Sequence, residues 1–399
     1  MPEICTNRLR AVLLILAAVV VTACLGEPGG PDVIPQDTVA YSTVHVGGFH
    51  ACGLTAEGQA YCWGSNTAGQ LGIGSFEDRP IPHRVSQEGA YIGVALGAAH
   101  SCGVTSSDQL ECWGINDWGQ LGVGSRPEPE VVPTPVLGGL QFTVAASGGQ
   151  HTCGLTSGGE AWCWGLGESG QLGDGTTGVG WFRALPDSVR GGVTFDSLTA
   201  GSQHTCALTP DSRAYCWGAG SSGQLGIGET SSRDLPTPVA GNLFFFQIDG
   251  GGAHTCGLTF DGEAYCWGNG ESGQLGDGSI SNRDSPTLVT ESLTFVSIST
   301  GASHTCGVTG NSRLYCWGAN EFGQLGDGTL LLRLQPTEVS SDDIGFVRVE
   351  AGVVHTCGLG TDGIVYCWGF GGGGQIGHGE YENALTPTRV AGQLDPIGP

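Results

Sequence analysis

The chain has no lysine, and its single methionine is the first of 399 residues. All positive charge therefore rests on 14 arginines, set against 38 acidic residues, for a formal net charge of −24. A surface of that sign repels phosphate backbones, which argues against nucleic acid as a partner, and it repels anionic membranes too. Long apolar runs are missing as well. The run from Ala11 to Val21 has eleven residues, too few to span a bilayer. Helix-period apolar patterns hardly occur. No nucleophile elbow, HExxH helix or phosphate-cradling glycine loop is present, so the chain reads as a non-enzyme that needs no cofactor.

What the sequence does have is glycine, 73 residues of it, and cysteine, 16 residues. Fourteen of the cysteines belong to a phrase that recurs seven times, seen plainly from His254 through Cys256-Gly257 to Tyr265-Cys266-Trp267-Gly268 and then Gly273-Gln274-Leu275-Gly276. The anchoring histidines are His50, His100, His151, His204, His254, His304 and His355, a period of 50 to 53 residues. Self-similarity at this period marks a repeat architecture.

The phrase reads as a β-hairpin. Folded about Asp261, Thr259 faces Glu263 across a three-residue loop ending in Gly262, which can take the positive φ such loops need. In that register Cys256 lies opposite Cys266, within disulfide reach. The unvarying spacer recurs between Cys52 and Cys62, Cys102 and Cys112, Cys153 and Cys163, Cys206 and Cys216, Cys306 and Cys316, and Cys357 and Cys367. One inserted residue would turn a sulfur to the opposite face, so the constancy predicts seven intra-hairpin disulfides. Zinc half-sites are the alternative, but cysteines ten apart on paired strands lack the CxxC knuckle of structural zinc sites, and no metal is assigned. A cysteine load of this size belongs in an oxidising compartment.

The amino terminus points the same way. Arg8 and Arg10 precede the apolar run, which ends in Val21-Thr22-Ala23-Cys24. This resembles the lipobox of bacterial lipoproteins, in which the signal is cut before the cysteine and that cysteine is acylated. The resemblance implies a signal over residues 1–23, lipidation at Cys24 and loss of Cys5. The mature chain would then carry 37 acidic residues against 12 arginines. Residues 24–38, rich in glycine and proline, read as a tether. Leu25 after the cysteine, by resemblance to enteric sorting, implies the outer membrane or cell surface.

Residues 39–392 hold the repeats, and 393–399 form a short tail. Each repeat shows four strand-like runs, in the fifth Phe244–Ile248, His254–Thr259, Glu263–Trp267 and Thr287–Val289. Seven such repeats predict an all-β, seven-bladed propeller of four-stranded antiparallel blades. The recurring G-x-x-H, Y-C-W-G and G-Q-L-G resemble the repeats of the regulator-of-chromosome-condensation family from Val39 to about Gly392. The cysteine pairs depart from that family's pattern. So does the second copy, with Ser106-Ser107-Asp108-Gln109 in place of a glycine turn, and the seventh, with Gly371 to Gly374 before Gln375. The resemblance implies the propeller fold, and for function either face-on protein binding or, as in the nuclear member, nucleotide exchange on a small GTPase. A glycan-binding or hydrolysing propeller is a third class.

In a repeat framework, specificity resides where the copies differ. Trp118, Trp181, Phe182, Arg183, Phe322, Leu331 and Tyr381 are least explained by the repeat and are the candidate binding residues, with a protein or cell-surface polymer as partner of a monomeric domain. The framework Trp is expected between blades, the histidines as buried turn braces. Nine residues after the framework Gln stand Arg79, Arg233, Arg283 and Arg333, while the other copies have Pro129, Gly180 and Ala384. These arginines either brace their own loops or form a partial basic ring. The ring itself is expected to close by an offset in which the terminal runs Val39–Val44 and Pro387–Val390 share a blade.

Overall fold

The computed structural model describes residues 38–125, 127–289 and 292–394. Cys5, the candidate lipidation residue Cys24 and nearly all of the Gly/Pro-rich tether lie outside these residues, as does most of the C-terminal tail. The described chain forms twenty-eight strands in seven four-stranded sheets, each assembled from four consecutive antiparallel strands. Blade five consists of Phe245–Gly250, His254–Thr259, Ala264–Gly268 and Arg283–Leu288. Its middle pair forms the expected hairpin, with Cys256 opposite Cys266 and Leu258 opposite Ala264.

All seven expected disulfides are present, each inside its own hairpin. Cys52 is bonded to Cys62, Cys102 to Cys112, Cys153 to Cys163 and Cys206 to Cys216. Cys256 is bonded to Cys266, Cys306 to Cys316 and Cys357 to Cys367. In every pair the Cα atoms stand 4.1 Å apart. That separation belongs to the closer, non-hydrogen-bonded kind of antiparallel pair.

The hairpin turn needs a left-handed residue. Gly262 supplies it at φ 80°, Asp108 fills the same place in the second copy at 59°, and Ser212 and Ser312 do so in the fourth and sixth. Short polar side chains tolerate this region better than branched ones. A second glycine has a packing cause. A Cβ on Gly257 would stand 2.7 Å from the ring of Phe245, which lies across the hairpin. Tyr41, Tyr91, Phe142, Phe195, Phe295 and Phe346 are the buried aromatics at the start of, or two residues before, the first strand in the other six blades.

The fourth strand differs from the sequence reading. It begins at Arg283, opposite Gly268, rather than after Pro286, and a register shift between Cys266 and Gly268 accommodates the pairing. Pro286 lies within this strand, the last in its sheet. Such an edge tolerates a residue without N–H, so proline is no reason to end it.

The expected offset at closure does not occur. The first blade is built from Thr43–Val46 onward and the last ends with Ala384–Arg389, each blade contiguous in sequence. The termini meet instead through a single parallel bridge, Val39 to Gln393, with Val39 N donating to Gly392 O at 2.9 Å. Side-chain packing carries the rest. Val39, Tyr41, Val44, Ala51 and Trp63 of blade one form one core with Cys357, Cys367, Ile376 and Val390 of blade seven. This seam is as apolar as the other six, so no shared sheet is required to hold it.

Candidate functional site

Every seam between blades is built from the repeat's own polar residues. Trp267 Nε1 donates to the backbone carbonyl of Gln224 in the preceding blade at 3.0 Å. Thr255 Oγ1 donates to the same carbonyl at 2.8 Å. His204 Nε2 lies 2.9 Å from Thr255 Oγ1. Because that hydroxyl spends its proton on the carbonyl, the imidazole must be the donor, which fixes the Nε2–H tautomer. The same triad recurs from His50 with Ser101 to His304 with Thr356. Burial lowers His151 and His254 to about 3 and His204 and His304 to about 4, so the imidazoles stay neutral. The seam between blades seven and one is the exception. Ala51 replaces the hydroxyl residue, and His355 Nε2 is buried without a hydrogen bond, although Trp63 Nε1 still reaches Gln375 O at 3.1 Å.

Antiparallel order places the connections between first and second strands, and between third and fourth, on one face. The third-to-fourth connections carry most of the variation. Their shared frame is local: Gln274 Oε1 accepts from Ser272 N at 2.9 Å, and the same bond recurs with Gln120 and Trp118 and with Gln324 and Phe322. The arginines brace these loops. Arg283 binds Asp277 Oδ2 through Nε at 2.9 Å and Nη2 at 2.6 Å, and Arg333 binds Asp327 likewise. Burial works against ionisation of both aspartates. Hydrogen bonds from Arg283 with Ser279, and from Thr329 with Arg333, outweigh it and hold both carboxyls below their usual range. Arg79 pairs with Glu77 and Arg233 with Glu229.

Counting from the framework Gln assigns Gly180 to this position in the third copy. The structure places Arg183 there instead, opposite Gly165 and 3.0 Å from Asp174, because that loop is longer. Five blades thus carry an arginine paired with a carboxylate of its own loop, and no basic ring is left over. Glu130 and Ala384 occupy the place in blades two and seven.

The remaining candidates fall into two groups on this face. Trp118 of blade two meets Phe182 of blade three edge-on at 6.3 Å, and Arg183 lies over the Trp181 ring at 4.6 Å. Phe322 of blade six meets Phe370 of blade seven at 5.2 Å, and Phe370 meets Phe49 of blade one at 6.5 Å. Leu331 is 62% exposed and Tyr381 50%, on the neighbouring loops of blades six and seven. Trp118 and Phe322 are half-buried against these neighbours. The loops of blades four and five contain no aromatic residue, so the face is polarised.

Sequence reasoning missed an apolar set on the opposite face, where Phe246 contacts Phe260 at 5.9 Å and Val296 and Val347 are exposed. A register shift between Phe245 and Gln247 turns Phe246 outward, and its signal was the unbroken Phe244-Phe245-Phe246 run. The mouth of the central channel is a depression of about 250 Å3 lined by first strands. Its polar groups serve the frame. Asp249 accepts from Thr199 Oγ1 at 3.0 Å and Thr300 N at 2.7 Å, and Glu350 pairs with Arg348. Burial raises both carboxyls and lowers His45 to about 3. Among the described residues no group of His, Cys, Asp or Glu is arranged to hold a metal ion.

Seven consecutive segments, residues 57–104, 109–155, 158–208, 211–258, 261–308, 311–359 and 362–395, match the family model for the Regulator of chromosome condensation (RCC1) repeat. The chain is 34% identical over 196 residues to the ultraviolet-B receptor UVR8 of Arabidopsis thaliana, covering 48% of this chain and 44% of that one. Identity to the E3 ubiquitin-protein ligase HERC2 of Homo sapiens is 31% over 205 residues, 50% of this chain and 4% of that one. The chain thus spans less than half the length of these relatives. Among solved structures it resembles human WBSCR16 with a TM-score of 0.75 at 21% identity, covering 83% of this chain and 93% of that one. Prp20p of Saccharomyces cerevisiae gives 0.72 at 22% identity, covering 84% and 87%. These two likenesses concern the fold.

Proposed function

The chain belongs to the Regulator of chromosome condensation (RCC1) repeat family, and on that premise we propose that it is a non-catalytic binding propeller displayed at the cell envelope, engaging a protein through its variable loops. The observation that carries this reading is the contrast between frame and loops. Histidine, tryptophan and glutamine of the repeat are consumed in seams, whereas the side chains least explained by the repeat, Trp118, Trp181, Phe182, Phe322, Leu331 and Tyr381, lie half-buried or exposed on the loop face. Tryptophan and tyrosine, both present among these side chains, are with arginine the residue types that most often anchor protein interfaces. A protein partner also accords with the like-folded Prp20p, a protein with binding properties toward Gsp1p and histones. The envelope location rests on the sequence around Cys24 and on seven disulfides, which require an oxidising compartment.

The test compares two baits on envelope extracts, the purified protein and a variant carrying Trp118→Ser, Phe182→Ser, Leu331→Ser and Tyr381→Ser. A protein retained by the first and lost from the second is the expected result. Equal retention by both baits would remove the loop face from the account. For the anchor, Cys24→Ser is expected to release the folded propeller from membranes. Membrane retention of the cleaved Cys24→Ser protein would count against lipidation.

A further inference from the structure

We propose that the rim formed by blades six and seven on the loop face is a docking site for a cationic, apolar protein segment, one that sets lysine or arginine beside leucine- or phenylalanine-like side chains. The proposal rests on the binding reading above and narrows it to a place and a chemistry. The first feature is a pinned apolar loop. Leu330, Leu331 and Leu332 are consecutive and each roughly half exposed or more, at 54%, 62% and 46%. Such residues would normally fold inward. They are held out because Asn320 Nδ2 donates to Thr329 O at 3.0 Å and Leu331 O at 3.2 Å. A loop fixed in this way loses little freedom on binding, so contacts made there are not offset by ordering cost. A shallow groove between Gly278 of blade five and Leu332, Leu334 and Gln335 of blade six runs alongside.

Charge is the second feature. In five blades the arginine that opens the fourth strand neutralises a carboxylate of its own loop. Blade seven has Ala384 at that place, opposite Gly369, so Glu380 and Glu382 are exposed with no guanidinium from their loop. Blade six has its arginine, but Arg333 is engaged with Asp327. Its neighbour Glu321, also exposed, has no ion pair among the described residues. The rim therefore presents three exposed carboxylates, with no ion pair to them among the described residues, around aliphatic and aromatic side chains. Complementary charge at such a rim speeds encounter and rejects acidic partners, while the apolar centre supplies the contact area. An anionic segment would be repelled, and a purely cationic one would leave the leucines wet.

The test selects short random peptides, displayed as a library, on the full protein and on the double variant Glu380→Lys, Glu382→Lys. The wild-type protein is expected to enrich peptides with lysine or arginine beside leucine or phenylalanine. A synthetic peptide of that consensus should lose about tenfold in affinity on the double variant and on Leu331→Ser. Both variants change exposed side chains and should keep the thermal midpoint of the parent, which separates lost binding from lost folding. Enrichment of acidic or uncharged peptides would overturn the proposal. So would a basic peptide whose affinity neither variant changes, or flotation with phosphatidylcholine vesicles, abolished by Leu331→Ser, without any peptide enrichment. If these tests fail while Trp118→Ser and Phe182→Ser still abolish capture of an envelope protein, the binding reading stands and this site falls. If those substitutions also leave capture intact, both fall.

Discussion

A histidine repeated seven times invites thoughts of metal or acid–base chemistry, and hydrogen bonding at six of the seven seams gives it a structural task instead. The hydroxyl of Thr255 gives its proton to a carbonyl, so His204 can only donate to it. A histidine so used must stay neutral, and burial ensures this by lowering His50 to about 3 and His100 to about 4. In the unfolded chain the same groups titrate near 6.5. Between these values the unfolded state binds more protons, so this contribution to stability is full above about pH 6.5 and is lost as pH falls toward 4. Denaturant midpoints at pH 7.5 and pH 4.5 check this, the lower pH giving the lower midpoint. Nitrogen-15 spectra at pH 5 should still show neutral Nε2–H rings, and imidazolium signals from the seam histidines would contradict the assignment. The sequence made these histidines legible as structural, because all seven shared one position. Their partner was not legible, since a Thr or Ser just after the histidine acts on the preceding blade's carbonyl, a contact across about 31 residues that no local pattern records.

At the scale of the element, the hairpin was the most legible part. An invariant spacer of nine residues permits one register, and Cys256 stands opposite Cys266. What sequence could not supply was the start of the fourth strand, where Pro286 looked like a breaker but sits at a tolerant edge. Nor could counting find Arg183, because the longer loop after Asp174 shifts it three places. Each disulfide closes a loop of about eleven residues, for which the chain-entropy view gives nearly 3 kcal/mol. Replacing Cys256 and Cys266 together by alanine should cost about that much, with loss of protection confined to blade five and its neighbours in hydrogen exchange. Peptide mapping without reduction should find each cysteine joined to the one ten residues away. Links between different repeats would contradict the register.

For the whole molecule, closure is the point at which repetition fails. Six seams share the histidine–hydroxyl bond. The seventh lacks it because Ala51 stands where Ser101 and Thr152 stand in the next blades, leaving His355 Nε2 unpaired. The apolar seam and the Val39–Gln393 bridge compensate. Ala51→Ser supplies the missing acceptor at a place where blade two already carries serine. A new buried hydrogen bond is worth about 1 kcal/mol, so the thermal midpoint should rise. An unchanged or lowered midpoint would mean that the seam does not accept the hydroxyl.

Function also belongs to this scale, because it depends on which face of the ring is used. Copy-to-copy variation pointed to the loop face, while the apolar set around Phe246 and Phe260 on the other face went unread behind a register shift. The most direct measurement places a photoreactive amino acid at Phe182 or Leu331 on the loop face, and at Ile92 or Phe260 on the opposite face, in protein expressed in its own envelope. Irradiation should give a discrete protein adduct from the loop-face positions and none from the other two. Adducts from Phe260 or Ile92 alone would contradict the account and move the binding site to the opposite face.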